Sequence, residues 1–417
     1  MDLTGKKLLV LGGDVRSKDI VETAQQLGVY TIVTDWWDTT RSPAKLVADE
    51  YWNEEIFRPD VLADLVKKHH VDGVITGFSD IYLPYYQQLC ELAGLPCYSS
   101  KEIFETTLDK CKFKTLCREN GVPTVPEFDA KTFNPDIISS QYKIIIKPVD
   151  NSGSRGIKVC DNPNTYQECL NYALSFSEKK EVLIERFMDM DSVSMFYTAQ
   201  DGNLSLSTMN DTVLHKSKDG GGVAFKSFYP SKYLAQYQSK WDEKVRAMYK
   251  NLGVQNGVLF LQGFTNGEEF YFFEMGYRLS GGRHYVFTEP ENGTNAVKQL
   301  IHFAITGKMA DEPIREKDNP AFRHYCCRVN ILGKEGTIAK IEGADYLLAI
   351  PEAVDVRLLK KPGDVVGQDG TTLQTIAVVN MMTSGKEHFD RVVSEINSHF
   401  KVYDAEGNNM VLDLNRY

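Results

Sequence analysis

Hydrophobic and polar positions alternate along the first part of the chain in a way that predicts strands and helices in turn. The apolar run from Lys6 to Gly13 predicts a strand, and Ser17 to Gly28 has the apolar spacing of a helix. Tyr30 to Thr34 and Gly73 to Gly77 predict further strands, with a helix after Pro59 between them. This alternation favours a small parallel sheet with helices on both faces.

Small and acidic residues follow these predicted strands, at the edge where open parallel sheets bind ligands. The residues that mark this crevice rim are Gly12, Gly13, Asp35, Gly77, Ser79 and Asp80. The Gly12-Gly13 pair lacks the third glycine of a dinucleotide fingerprint, so a Rossmann-type NAD site is not supported.

Helix boundaries near residue 100 indicate a linker and a new domain. Ser99 to Glu102 predicts a helix start, and a further helix begins near Lys110 and ends at Asn120-Gly121. Lys110 lies near the N-terminus of its helix, where the helix dipole disfavours a cation. Its partner is therefore either a ligand phosphate or solvent.

The segment from Tyr142 to Val159 predicts a strand, a flexible loop and a second strand. The first strand ends at Lys147 and Pro148, and the loop at 151–156 consists of Asn, Ser, Gly, Ser, Arg and Gly. The backbone N–H groups of such a loop can point together at a phosphate. Neither the P-loop nor the dinucleotide pattern fits, because a strand follows instead of a helix. A surface hairpin with a solvated lysine is the alternative interpretation.

Further along, Thr165 to Ser177 predicts a helix, and Glu181 to Phe187 predicts a strand with a polar exit through Met188 to Asp191. An exposed backbone step after an apolar strand can bind the edge of a purine, with neighbouring carboxylates bonding the ribose. Gly220 to Gly222 predicts a mobile loop of the kind that closes over a ligand.

The second informative segment runs from Gly257 to Gly282. Two apolar strands flank Asn266-Gly267, which predicts a hairpin with Gln262 and Glu274 facing the same way. Because buried polar groups need partners, a hard cation such as Mg2+ would satisfy both side chains. Arg278, just past the second strand, would reach an oxyanion beside the metal. A hairpin with a solvated edge is the alternative.

The C-terminal part contains short predicted strands and a helix over Lys386 to His399, which indicates a small β-rich domain. Arg323, Arg328 and Lys361 could contact a substrate there, although solvated surface positions are the simpler interpretation.

Composition and charge narrow the classes of function. The 417 residues include 47 Lys plus Arg against 57 Asp plus Glu, and the net charge of -10 works against affinity for nucleic acid or anionic membranes. No signal sequence is evident, and no apolar run approaches the roughly 20 residues of a membrane span. Eight cysteines without paired C-x-x-C spacing predict reduced thiols in the cytoplasm. We therefore expect a small ligand and neither a nucleic-acid nor a membrane partner.

Together these motifs resemble the ATP-grasp superfamily over Lys6 to about Met309. The motifs that carry the resemblance are Asp109-Lys110, Ile146-Lys147-Pro148 with the loop at 152–156, Val182 to Phe187, and Phe273 to Arg278. The tripartite layout is similar to that of biotin carboxylase, the carbamoyl phosphate synthetase large-subunit halves and phosphoribosylamine-glycine ligase. The resemblance implies a mixed α/β and α+β fold. Its parts would be a parallel α/β (pre-ATP-grasp) domain at 1–105, an ATP-grasp domain at 106–310 with a lid subdomain at about 123–188, and a C-terminal domain at 311–417.

The resemblance also implies roles for individual residues. ATP would be bound by Lys110, Lys147, Gly153, Ser154, Arg155, Gly156, Glu185, Phe187, Met188 and Asp191. Mg2+ or Mn2+ would be held by Gln262 and Glu274, and Arg278 would stabilise the oxyanion of an acyl phosphate. The family usually has Glu-x-Asn-x-Arg here, and Gly276 stands where Asn would be. Either water or another residue fills that position, or metal binding is weakened.

The implied function is that of an ATP-dependent, ADP-forming carboxylate–amine ligase, which acts through an acyl phosphate on a small-molecule acid. A bicarbonate-using carboxylase or a carbamoyl-phosphate-forming enzyme is the enzymatic alternative. The third possibility is a protein that binds ATP but has no catalytic activity. The predicted partners are small-molecule carboxylate and amine substrates, and homodimer formation is left open.

Overall fold

The structure is a computed structural model that describes residues 2–139, 142–149, 156–217 and 222–416. Its N-terminal part has the strands β1 (Lys7–Leu11), β2 (Tyr30–Thr34), β3 (Glu50–Trp52) and β4 (Gly73–Thr76), and the helices α1 (Ser17–Gln26), α2 (Pro59–Lys68) and α3 (Leu83–Ala93). The strands pair in parallel in the order β3-β2-β1-β4. The predicted parallel α/β arrangement is confirmed.

Two capped helices follow, α4 (Lys101–Leu108) and α5 (Lys110–Glu119). The Ser100 hydroxyl accepts a hydrogen bond from the Ile103 N–H at 3.4 Å. The Asp109 carboxylate accepts from the Cys111 and Lys112 N–H groups at 2.8 and 2.9 Å. These caps satisfy free N–H groups of the first turns, so both helices begin where the sequence predicts.

A second sheet, the lid sheet, is formed by short antiparallel strands. Its elements are β5 (Glu127–Phe128), β6 (Ile144–Pro148), β7 (Lys158–Cys160), α6 (Tyr166–Ser175) and β8 (Val182–Arg186). The strand order is β5-β8-β6-β7, and Ile144, Ile146 and Ile184 form its buried core. The two predicted strands are confirmed in β6 and β7, while residues 150–155 of the predicted loop, which include Gly153, Ser154 and Arg155, lie outside the described residues.

The central part supplies long antiparallel strands. Its elements are β9 (Asp191–Gln200), β10 (Asn203–Lys216), β11 (Gly222–Tyr229), α7 (Leu234–Lys240), α8 (Asp242–Asn251), β12 (Gly257–Thr265), β13 (Phe270–Gly276), α9 (Tyr285–Asn292) and α10 (Ala296–Thr306). The predicted hairpin is confirmed in β12 and β13, joined by a loop at 266–269. β10 and β11 pair as far as Lys216 and Gly222; residues 218–221, which include Gly220 and Gly221 of the predicted mobile loop, lie outside the described part.

The C-terminal part extends the same sheet. Its elements are β14 (Tyr325–Leu332), β15 (Gly336–Thr337), β16 (Lys340–Glu342), α11 (Ala344–Leu348), β17 (Ala353–Leu358), β18 (Val365–Val366), β19 (Thr375–Thr383), α12 (Lys386–His399) and β20 (Lys401–Tyr403). The eight-stranded sheet has the order β13-β12-β9-β10-β11-β14-β19-β17, with the small pairs β15-β18 and β16-β20 beside it. Because this sheet continues across residue 310, the division into domains at that point stays a prediction.

One large apolar core joins the N-terminal sheet to the face of the eight-stranded sheet that packs on α4, α5 and α10. Within it, the Tyr98 hydroxyl donates to the Tyr277 carbonyl at 3.0 Å, which ties the end of the first part to the residue that follows β13. No helix in the described ranges is long and apolar enough to cross a membrane.

Candidate functional site

A cleft of about 620 Å³ is lined by residues of both the lid sheet and the eight-stranded sheet. This volume lies within the range of small-molecule sites. Four of the predicted site residues line it together with Gln262 and Glu274, namely Lys147, Glu185, Phe187 and Met188. When the loop at 151–155 is set aside, the structure therefore brings four of the seven remaining predicted ATP contacts and both predicted metal ligands to one cleft.

Lys147 and Glu185 form an ion pair at the lid-sheet wall of the cleft. The Lys147 Nζ lies 2.5 Å from Glu185 Oε2, and the Lys114 Nζ binds the other carboxylate oxygen. Glu185 is 2% exposed and Lys114 is 1% exposed. Burial by itself raises the pKa of Glu185, but the two ammonium groups outweigh it and hold the pKa below its ordinary value. The site therefore keeps a charged carboxylate between two ammonium groups.

Sequence analysis missed Lys114, which lies one turn after Lys110 on α5. Its ammonium also pairs with Glu127 at 2.8 Å. The sequence did contain a signal for Lys114, because this lysine lies on the same buried helix face as Phe113 and Cys117. A lysine on an apolar helix face needs a buried partner.

Lys110 and Asp191 do not line the cleft. Lys110 is the first residue of α5. Asp191, at the start of β9, accepts a hydrogen bond from the Tyr233 hydroxyl at 2.6 Å and pairs with Lys232 at 2.8 Å. Its half-exposed carboxylate is thus engaged on the outer side of the strand, and the ATP contacts assigned to both residues stay predictions.

The exit of β8 provides a backbone edge in the cleft wall. Arg186, Phe187, Met188 and Met190 all line the cleft. The Phe187 N–H donates to the Lys143 carbonyl at 2.9 Å, so this donor is already used within the lid sheet. The backbone step that remains for a purine edge is the one at Met188.

Gly156 closes the predicted glycine loop in a conformation that demands glycine. Its φ is +77°, and a Cβ there would lie 2.5 Å from Phe176 Cβ and 2.8 Å from Pro148 Cγ. Both the backbone and the packing therefore exclude a side chain. Gly156 itself does not line the cleft, although Ile157 does.

A row of polar side chains crosses four neighbouring strands on the cleft face. Asn210 pairs with Ser194, Ser194 with Gln262, and Gln262 with Glu274. The Gln262 amide nitrogen donates to Ser194 Oγ at 3.2 Å, which leaves its oxygen as the atom for a cation. The Glu274 carboxylate has no ion-pair partner among the described residues. Two adjacent oxygen ligands fit a hard divalent cation completed by phosphates and water.

No group of three or more His, Cys, Asp or Glu side chains in the described ranges is arranged to hold a metal. Asn210 does not replace the missing family Asn, because strands lie about 4.8 Å apart and the row therefore separates it from Glu274 by roughly 14 Å. Its Oδ1 is buried and accepts no hydrogen bond from the described residues. The predicted metal position thus offers two side-chain oxygen donors, Gln262 and Glu274, and Asn210 is available to a ligand further along the row.

Gly276 is explained by packing. It pairs with Phe260 across the hairpin, and a Cβ at this position would lie 2.2 Å from Phe260 Cζ. Phe260 is 6% exposed, within a cluster that includes Phe196, Tyr229 and Phe287. An Asn side chain is therefore excluded by the ring, which accounts for the departure from the family pattern.

Arg278 lies outside the cleft lining and bridges to the N-terminal sheet. Its Nε and Nη2 donate to the two Asp80 carboxylate oxygens at 2.6 and 2.5 Å. Its guanidinium also lies 5.1 Å from the centroid of the Phe260 ring. This bidentate pair fixes the segment after β13 against the crevice rim, and the oxyanion role of Arg278 stays a prediction.

Arg328 on β14 brings a positive charge to the cleft without a carboxylate partner among the described residues. Its Nε donates to Asn330 Oδ1 and its Nη1 to the Gly281 carbonyl, both at 3.0 Å. Burial lowers the pKa of this guanidinium from its ordinary value. Gly281 and Arg328 line the same cleft as Gln262 and Glu274, so the guanidinium adds a positive charge to the cleft that contains the predicted metal ligands. Its signal in the sequence was an arginine inside an apolar strand.

A buried ionic network supports this end of the cleft. Arg283 pairs with Asp19 of α1 at 2.7 Å and with Asp355 of β17 at 2.6 Å. Burial opposes the charged form of Arg283, but Tyr285 and the two carboxylates raise its pKa above the ordinary value. The Asn380 amide donates to Asp355 at 2.8 Å. The network joins all three parts of the chain next to Arg328.

Comparisons with known proteins agree with this geometry. Residues 109–311 match the family model described as the carbamoyl-phosphate synthase L chain, ATP binding domain. The chain is 23% identical over 373 residues to a formate-dependent phosphoribosylglycinamide formyltransferase of Mycolicibacterium gilvum, covering 87% of this chain and 89% of that protein.

Solved structures share the architecture along nearly the whole chain. An L-amino acid ligase from Bacillus licheniformis has a TM-score of 0.78 at 17% identity, covering 96% of this chain and 98% of its own. A second structure is the biotin carboxylase domain of Hydrogenobacter thermophilus 2-oxoglutarate carboxylase, in complex with MgADP and bicarbonate. It has a TM-score of 0.72 at 18% identity, covering 97% of this chain and 91% of its own. The resemblance to the ATP-grasp superfamily that the motifs suggest is thereby confirmed: residues 109–311 match an ATP-binding domain, the chain shares the fold of these enzymes, and the matches support an ATP-dependent enzyme of the ligase type.

Proposed function

We propose that this protein activates a small carboxylate with ATP in the described cleft and transfers the acyl group to an amine. The observation that carries the proposal is the adjacent pair Gln262 and Glu274, which has no ion-pair partner among the described residues and lines the same cleft as two sources of positive charge. Those sources are Lys147 on the lid sheet and Arg328 near Gly281. A polyphosphate with its cation fits at Lys147 and the pair Gln262 and Glu274. A carboxylate fits at Arg328.

The nucleotide would lie with its purine edge at the Met188 backbone and its phosphates at Lys147. The ammonium of Lys147 would exchange part of its contact with Glu185 for the phosphate oxygens, while Lys114 keeps Glu185 neutralised. Mg2+ or Mn2+, held by Gln262 and Glu274, would supply charge neutralisation on the transferring phosphoryl group. These ATP and metal contacts are part of the proposal.

The acid would bind through its carboxylate to Arg328, beside the terminal phosphate. One carboxylate oxygen attacks the γ-phosphorus, the bond to the β-phosphate oxygen breaks, and ADP leaves with an acyl phosphate formed. The amine nitrogen then attacks the acyl carbon, the C–O bond to phosphate breaks, and the extra proton of the nitrogen leaves with the inorganic phosphate. The formyltransferase relative is named for its dependence on formate, so we propose an acid of that small size.

The test is release of ADP by the purified full-length protein, measured with formate, acetate and bicarbonate, each with and without an amine. We expect ADP release only when an acid is present, and amine should increase it. Dependence on bicarbonate alone would support the carboxylating alternative. Absence of ADP release with every acid, despite ATP binding, would contradict the ligase proposal. Homodimer formation and a cytoplasmic location stay predictions from the sequence.

A further inference from the structure

The carboxyl edge of the N-terminal sheet is where the structure offers a second substrate site. The chain leaves β1 at Gly12, β2 at Asp35 and β4 at Gly77, and ligands of open parallel sheets bind beyond these strand ends. This edge is continuous with the ATP cleft, because Arg16 lines the cleft and its guanidinium lies 5.6 Å from the centroid of the Phe78 ring. A substrate at this edge would therefore reach the acyl phosphate from the side of Arg16.

The anion-binding groups of this edge are already occupied by the chain's own carboxylates. The Asp14 Oδ1 accepts hydrogen bonds from the Arg16 and Ser17 N–H groups, both at 3.0 Å, at the beginning of α1. The Asp14 Oδ2 binds the Arg16 side chain at 3.0 and 2.6 Å. The Gly13 N–H donates to Asp35 Oδ2 at 3.1 Å. Because a helix N-terminus is the usual place for a phosphate, this edge is blocked to one.

Aromatic rings surround the same edge. The Trp36 and Trp37 rings lie 3.8 Å apart between centroids, and Phe57 lies 6.2 Å from Tyr82. The Tyr82 ring also packs onto the backbone at Gly12, where a Cβ would lie 2.7 Å from its Cε2. We name Trp36, Trp37, Phe57 and Tyr82 the aromatic rim. Trp36 is 51% exposed and Phe57 is 41% exposed, so the aromatic rim leaves a large apolar surface open to solvent at this edge.

We propose that the aromatic rim binds the amine substrate, and that this amine carries an aromatic or branched apolar group and no phosphate. The inference rests on the proposed ligase function, since an amine site next to the cleft is required only if an acyl group is transferred. The rings would bind the apolar group, and their faces would also attract the ammonium form of the amine. The edge thus favours a compound of amino-acid or arylalkylamine type over a phosphoribosyl amine.

The test uses calorimetry on the full-length protein in the presence of ATP and Mg2+, with 2-phenylethylamine and ribose 5-phosphate as probes. We expect 2-phenylethylamine to bind and ribose 5-phosphate neither to bind nor to displace it. Trp36→Ala and Phe57→Ala should each weaken 2-phenylethylamine binding about tenfold, because each removes a stacking ring. Leu92→Ala is the matched control, since Leu92 is 44% exposed at the far end of α3 and its loss should leave binding unchanged.

Two results would overturn the inference. One is binding of ribose 5-phosphate without binding of 2-phenylethylamine; the other is binding of 2-phenylethylamine with equal affinity in both ring variants. Acid-dependent ADP release, measured in parallel, separates this inference from the proposed function. If ADP release persists while 2-phenylethylamine fails to bind, only the amine-site inference is wrong. If no acid supports ADP release, the ligase proposal is wrong whatever the aromatic rim binds.

Discussion

Gly276→Asn restores the residue that the family pattern usually has, and the structure predicts that it harms the protein. The new Cβ would lie 2.2 Å from Phe260 Cζ and 2.3 Å from Cε1, whereas carbon atoms in contact normally lie about 3.5–4.0 Å apart. The ring would have to move by more than about 1 Å inside a packed aromatic cluster. Since the Arg278 guanidinium lies over this ring, the movement would also disturb the Arg278–Asp80 pair.

Overpacking of this kind costs about 1–3 kcal/mol, so Gly276→Asn should lower the free energy of unfolding by that amount. Urea unfolding followed by circular dichroism measures the change from the shift of the midpoint. Affinity for Mg2+ with ATP should not improve, because the ring keeps the amide away from the position beside Glu274.

A double-mutant cycle with Phe260→Ala isolates the clash. The double variant should be more stable than the sum of the two single effects by about 1–3 kcal/mol, since the ring is then absent. Gly281→Ala is the matched control, because a Cβ there meets only Arg16 Nη1 at 3.7 Å and should change stability by less than about 0.5 kcal/mol. Additive effects, or a Gly276→Asn variant of native stability with tighter Mg2+ binding, would refute this reasoning.

Three further predictions concern the charged residues of the cleft. Lys147→Met should weaken ATP binding by about 1.5–3 kcal/mol, which is roughly 10- to 150-fold in Kd by calorimetry; the exposed Lys131→Met is the control, and equal affinities would remove Lys147 from the site. Glu274→Gln should weaken Mg2+ activation about tenfold or more with an unchanged urea midpoint, and full activity at low Mg2+ would contradict its role as ligand. The Glu185 carboxyl has an ordinary pKa of 4.5 that is lowered in the fold, so its contribution to stability is complete above that pH and is lost as the pH falls below it. Between about pH 5 and pH 3, the unfolding midpoint of Glu185→Gln should therefore change less with pH than the midpoint of the wild type. If the two midpoints change with pH in parallel, Glu185 does not contribute to the pH dependence of stability.

Elements with strong local patterns were predictable from the sequence. β2 and α12 have the predicted boundaries, because one is an uninterrupted β-branched and apolar run and the other has regular apolar spacing. That Gln262 and Glu274 face the same way also followed from the hairpin, since turn position and alternation fix which residues share a face. The three-residue strand β3 was missed because Glu50–Trp52 has no pattern of its own.

Features that depend on distant segments were not predictable. Lys114 and Glu185 are far apart in sequence, and their contact requires the packing of α5 against the lid sheet. The pairing of Arg278 with Asp80 likewise joins two parts of the chain. Gly276 was recognised as a departure, but its cause is the ring of Phe260 on the neighbouring strand. In each case the decisive partner lies on another element, where local periodicity carries no information.

Oxygen-18 transfer tests the central claim most directly. The protein is incubated with ATP, Mg2+, an amine and formate labelled with 18O in both carboxylate oxygens, and the inorganic phosphate is analysed by mass spectrometry. Attack of the carboxylate on ATP and later cleavage of the acyl phosphate predict one 18O atom in each phosphate released. Unlabelled phosphate, with ADP release that does not depend on the acid, would contradict the account.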